Sequence, residues 1–173
     1  TILEAGRLRD TLAAAIERLR STRADVDAIT TRVKEANAER LRRLVAHLTE
    51  GLDDGDAVNL LAAHAMVSGG TLGGGERSAH TIFQYELPGG AFPASLSYVA
   101  LGHLHRTQPV PGAGCPAWYP GSPLALDFGE EADRKAVLVV EVEPGLPASV
   151  RPVPLTSGRA LRTVRGSVED LRA

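Results

Sequence analysis

Apolar positions divide the chain into a helical first third and a strand-rich remainder. Leu8, Leu12, Ile16 and Leu19 recur at spacings of three and four with Arg and Glu between them, which predicts an amphipathic helix over residues 1–20. Ser, Thr and Asp dilute the pattern over 21–31. Leu41, Leu44, Val45 and Leu48 then mark the stripe of a second helix over 33–48, with Gly51 as its stop. Residues 1–50 therefore read as a helical segment whose stripes pack on a core or on a partner helix. The run Asp53-Asp54-Gly55-Asp56 lacks the downstream Glu of a calcium-binding loop and reads as a turn.

Beyond it the periodicity changes. Residues 57–63 (AVNLLAA) form a continuous apolar run, as expected of a strand buried on both faces in a layered α/β fold, and the run ends at His64. Residues 68–76 (SGGTLGGGE) are Gly-rich but lack the Gly-Lys-Ser/Thr ending of a phosphate-binding loop, so they read as a flexible connection. A second apolar strand is expected at 97–101 and a short one at 118–119 before the turn Pro120-Gly121-Ser122-Pro123. Two more follow at 135–142 and 149–155, the prolines of the last marking an edge. From Gly158 onward the sequence turns polar and Arg-rich, as at the start of a new element.

Composition narrows the function classes. The 173 residues are 43% hydrophobic and 23% charged with a formal net charge of −2, so no basic footprint announces nucleic acid. Residues 1–50 hold 10 Lys/Arg against 8 Asp/Glu and the rest 9 against 13, so an anionic substrate needs a local attractor such as a metal cluster. The single Cys115 excludes an intrachain disulfide and a Cys-based zinc site; it reads as an incidental loop thiol in a reducing, cytoplasmic setting. No apolar run is long enough for a membrane span.

The candidate chemistry lies in Gly102-His103-Leu104-His105, directly after the second apolar strand. In extended chain residues i and i+2 share a face, so both imidazoles could reach one point beyond the strand end. Imidazole is the commonest protein metal ligand, but a single His-x-His is equally read as surface or core histidines. Position adds weight. His64 also closes an apolar strand, and α/β sheets bind ligands outside the carboxyl ends of their strands. His64, His103 and His105 are therefore the candidate metal ligands. His47 and His80 lack such placement and read as surface residues, and Asp127, Glu130 and Glu131 read as carboxylates that are either ligands or simply solvated. No Ser sits in a Gly-x-Ser-x-Gly elbow, which argues against a serine hydrolase.

Four stretches, taken in order, resemble the SbcD nuclease family of calcineurin-like metallophosphoesterases. They are Asn59-Leu-Leu-Ala-Ala-His64, Tyr98-Val-Ala-Leu-Gly-His-Leu-His105, Tyr119-Pro-Gly-Ser-Pro-Leu-Ala-Leu-Asp-Phe-Gly-Glu130 and Pro154-Leu-Thr-Ser-Gly-Arg159. Order and spacing agree over roughly residues 40–173. The resemblance implies a partial metallophosphoesterase sandwich of layered β-sheets with flanking helices, lacking its N-terminal strands: 51–155 would be the C-terminal part of that domain and 156–173 the start of a capping domain. It implies a two-metal, Mn²⁺-type DNA phosphodiesterase that works with an SbcC ATPase in repair and recombination and is a homodimer at full length. By position, His64 and His103 would hold one ion and His105 the other, while Tyr119, Gly121 and Ser122 would lie in a substrate-binding loop beside them. The family's Asp-x-His, Gly-Asp-x-x-Asp and Gly-Asn-His-Asp motifs are absent from residues 1–63, and with them the bridging aspartate and the catalytic histidine. The chain by itself is thus expected to be inactive. Two alternatives remain: a non-catalytic assembly subunit that docks through its helices, and a metallophosphoesterase acting on small phosphoesters.

Overall fold

The computed structural model describes residues 2–52, 55–74 and 86–169. The expected turn at Asp53-Asp54, the end of the Gly-rich connection, His80 and the last four residues lie outside that set. One α-helix, α1 (Ile2–Leu48), replaces the two that the periodicity suggests. The diluted stretch stays helical, and three of its hydroxyls are satisfied within the helix. Thr22, Thr30 and Thr31 donate to the carbonyls of Arg18, Val26 and Asp27, four residues back, at 3.0, 2.8 and 2.9 Å. At the other end Thr49 N–H donates to Val45 O and Gly51 takes φ +79°, a left-handed conformation that closes the helix.

Among the described residues eight strands follow. β1 (Leu60–His64), β4 (Tyr98–Gly102), β5 (Gln108–Pro109) and β6 (Ala117–Tyr119) build a sheet in the order β1-β4-β6-β5. In it β1, β4 and β6 run parallel and β5 is antiparallel to β6. β2 (Met66–Val67) and β3 (Glu86–Leu87) form a small parallel pair, and β7 (Ala136–Glu141) and β8 (Ser149–Pro154) an antiparallel hairpin. This layered α/β arrangement agrees with the fold class read from the sequence.

The core gathers Val67, Leu87, Phe92, Val99, Leu101 and Tyr119, with Val45 of α1 packed against them and Leu41 alongside. Among the residues of α1 whose burial is described, only the last part contributes to this core; residues 11–36 are exposed throughout. The strand β1 also departs from expectation. It is an edge strand with one face open, and Leu60 is 59% exposed, so the run is not buried on both faces. Its beginning is nonetheless tightly held. Buried Asn59 accepts from Ser97 N–H at 2.8 Å through its carbonyl, and its side-chain amide donates to Ser95 O at 3.1 Å and to Leu52 O. These bonds set the register in which His64 lies level with Gly102.

Candidate metal centre

Parallel in-register pairing delivers the ends of β1 and β4 side by side, and that placement puts His64 next to the Gly-His-Leu-His segment. The rings of His64 and His103 meet edge to face with centroids 5.3 Å apart. Two imidazoles sharing an ion through metal–nitrogen bonds of about 2.1 Å have centroids roughly 5 Å apart, a separation close to that of this pair. Gly102 makes the approach possible, because a Cβ there would lie 2.8 Å from His64 Nδ1. A cleft of about 770 Å³ opens beside it, lined by His64, Gly102, Pro120 and residues of β7, Val137, Leu138 and Val140 among them.

His103 has φ +115°, a conformation that L residues rarely adopt. Extended geometry therefore ends at this residue, and the expectation that His103 and His105 share a strand face is not met. His105 is held differently. Its Nδ1 lies 2.7 Å from Glu130 Oε1, and the Glu130 side chain is completely buried. The other carboxylate oxygen accepts from Lys135 Nζ at 2.6 Å, Ser122 Oγ at 3.2 Å and Leu126 N–H at 3.2 Å. Burial pushes the Glu130 carboxyl up, but the hydrogen bonds from Lys135, His105 and Leu126 and the Lys135 charge outweigh it, and the pKa falls to about 2. An ionised carboxylate only accepts, so the proton in the His105–Glu130 bond belongs to Nδ1. In the neutral ring the lone pair then sits on Nε2, the tautomer that carboxylate-supported metal ligands use.

The other two carboxylates of that region have local duties. Asp127 accepts from Gly129 N–H at 2.8 Å and so caps the 3₁₀ turn Phe128–Glu130, while Glu131 accepts from Thr163 N–H at 3.0 Å. His47 is an exposed helix residue 3.4 Å from Glu50, in line with its surface reading. Cys115 is half-buried, and burial pushes its thiol pKa up.

The loop read as substrate-binding turns its named residues inward. Tyr119 is fully buried. Its hydroxyl donates to Ala65 O at 2.8 Å and accepts from Val67 N–H at 2.9 Å, clamping the chain that follows His64. Burial raises its pKa to about 12, with the Val67 N–H pulling slightly the other way. Gly121 has φ +80° and passes so close to the next loop that a Cβ would lie 2.7 Å from His105 O. Ser122 is buried, donates its N–H to His105 O at 3.1 Å and accepts at Oγ from Lys135 Nζ at 2.9 Å. All three brace His105 or the chain after His64. Sequence reasoning missed this support, and the signal available for it was Glu130 and Lys135 five residues apart across a turn.

Among the described residues no group of three or more His, Cys, Asp or Glu side chains is placed to hold a metal ion. The donors fit metal chemistry as a partial set: one imidazole pair, plus one imidazole oriented by a buried carboxylate.

A layered α/β protein with histidines at the carboxyl edge of its parallel strands has the build of part of a metallophosphoesterase. No family model matches the chain. It is 38% identical over 122 residues to the SbcD subunit of nuclease SbcCD from Bacillus subtilis (strain 168), a match that takes in 70% of this chain and 31% of that protein. The chain is thus similar in sequence to an SbcD subunit and spans about a third of the length of this relative.

Proposed function

We propose that the chain contributes ligands to the two-metal, Mn²⁺-type phosphodiesterase centre of an SbcD-type DNA nuclease that acts with an SbcC-type ATPase in DNA repair and recombination. The observation that carries this reading is the His64–His103 pair at the carboxyl ends of the parallel strands β1 and β4, followed on the same segment by the His105–Glu130 bond of 2.7 Å. His64 and His103 would hold one ion and His105 the other. Such an ion supplies Lewis-acid stabilisation and an activated water for attack on a phosphodiester. The chain's own part is to fix the imidazoles: Tyr119 holds the segment after His64, and Glu130 sets the tautomer of His105. With three imidazoles and no bridging carboxylate among them, the 173-residue chain is expected to bind Mn²⁺ weakly and to cleave DNA negligibly.

Two measurements test this. Mn²⁺ titrated into isotopically labelled chain should broaden the imidazole resonances of His64, His103 and His105 before those of His47, and His103→Ala should weaken the effect. Uniform broadening of all histidines would count against a site at the sheet edge. In parallel, robust Mn²⁺-dependent cleavage of DNA by this chain, abolished by His105→Ala, would show that these ligands suffice without a bridging carboxylate.

A further inference from the structure

One turn of the chain grips two consecutive residues of the segment that follows β4. Asp133 N–H donates to Glu130 O at 2.9 Å, so the two carboxylates belong to one tight turn. Glu130 takes His105, and Asp133 takes the next residue, Arg106. Arg106 Nε and Nη2 both donate to Asp133 Oδ1, at 3.1 and 3.0 Å. Lys135 serves both carboxylates, 2.6 Å from Glu130 Oε2 and 3.9 Å from Asp133 Oδ2. Gln108 Nε2 donates to Arg106 O at 3.3 Å and steadies the backbone as well.

As a device for stability the Arg106–Asp133 pair is poor. The Asp133 side chain is 7% exposed, and its Oδ2 has no hydrogen-bond partner among the described residues. A buried acceptor left unpaired is costly, and an ion pair with an arginine 46% exposed contributes little. What the pair does supply is direction. A guanidinium carries five N–H donors in a rigid fork, and the side-on grip of Asp133 uses two of them. The end-on edge, one N–H from each Nη, lies on a different side of the planar group and has no partner among the described residues. Two parallel N–H groups so spaced match two oxygens of a phosphate. A lysine would supply the charge without the fork.

We propose that Arg106 positions the nucleic-acid strand, its end-on N–H pair gripping one backbone phosphate one residue along from His105. The phosphodiester class rests on the nuclease reading; the orientation of Arg106 by Asp133 does not.

The test titrates the isotopically labelled 173-residue chain with oligothymidylate in metal-free buffer at low salt. The Arg106 Nε–H resonance should shift before that of Arg134, an exposed arginine of the same turn. Arg106→Ala should weaken binding roughly tenfold and lower the salt slope by about 0.7, the share of one single-strand phosphate contact. Arg106→Lys should keep the slope, because the charge stays, yet lose most of that affinity, because the fork is gone. Arg134→Lys should change neither. A salt slope that ignores Arg106→Ala while the denaturation midpoint falls would make the residue merely structural and overturn the proposal. So would an unshifted Arg106 resonance in the wild-type chain, an arm that needs no variant to fold. Inorganic phosphate or polyglutamate that shifts Arg106 at lower concentration than oligothymidylate would also overturn it, in favour of a free anion or an acidic peptide. Mn²⁺ broadening of the histidines is the separate readout. If it occurs while Arg106 stays silent, the metal-centre reading stands and this proposal falls; if neither occurs, both fall.

Discussion

Replacing Glu130 by Ala tests how the site is held together. The Glu130 side chain is completely buried and that of Lys135 is 10% exposed, so the substitution strands an ammonium in the interior. Losing one partner of a buried pair typically costs about 3–5 kcal/mol. The same contacts lower the Glu130 pKa from 4.5 to about 2, which corresponds to roughly 3 kcal/mol favouring the folded state. Two features hold the cost near the lower end. Lys135 Nζ keeps its bonds to Ser122 Oγ and His105 O at 2.9 and 3.3 Å. Asp133 Oδ2, buried with no hydrogen-bond partner among the described residues, lies 3.9 Å away as a substitute counter-charge. A destabilisation of about 3 kcal/mol is therefore expected in urea denaturation, a large share of a typical domain's stability. Adding Lys135→Met should recover part of the loss, because the stranded charge goes with it. An effect under about 1 kcal/mol for Glu130→Ala, or strict additivity in the double variant, would refute the reasoning.

The same pair predicts a pH dependence. Glu130 titrates lower in the folded chain than in the unfolded one, so its contribution is fully present above about pH 4.5 and is lost as the pH falls toward 2. Denaturation midpoints measured from pH 6 to pH 3 should therefore fall, and Lys135→Met should flatten the slope; an unchanged slope would point to other carboxylates. Tyr119→Phe leaves Val67 N–H and Ala65 O without their buried partner and should cost about 1–3 kcal/mol, with enhanced hydrogen exchange at Val67 as the local signature. Gly102→Ala places a methyl 2.8 Å from His64 Nδ1 and pushes the ring away. It should weaken Mn²⁺-dependent broadening at His64 while the denaturation midpoint moves little, and unchanged broadening would mean that the two rings do not share an ion.

Where local chemistry decides an element, the sequence reading and the structure coincide. The strands expected at 97–101, 118–119, 135–142 and 149–155 appear as β4, β6, β7 and β8 to within about a residue, because alternation, apolar runs and flanking Gly and Pro are local signals. Gly51 ends α1 for the same reason. The misreadings came from questions that only tertiary or intrahelical partners answer. Thr and Asp lower helix propensity over 21–31, yet that stretch stays helical, with three hydroxyls bonded to carbonyls one turn back. The apolar composition of residues 57–63 does not say how many sides are covered, and β1 sits at the sheet edge with one face open.

The site divides along the same line. Histidines at two strand ends were legible, because parallel sheets present their carboxyl ends together. Their division of labour was not. A positive φ at His103 redirects one ring toward His64, and His105 instead takes its orientation from Glu130, a carboxylate 25 residues away that reads from sequence as one of three acidic residues after a turn. Burial separates the three. Glu130 is 1% exposed, whereas Asp127 and Glu131 lie at the surface and bind nearby backbone N–H groups. An ionised carboxylate in that setting is sustained only by several donors, and Lys135, Ser122, His105 and the Leu126 N–H are those donors. The support for His105 is therefore a network that no single spacing encodes, and its variants should fail together rather than one by one.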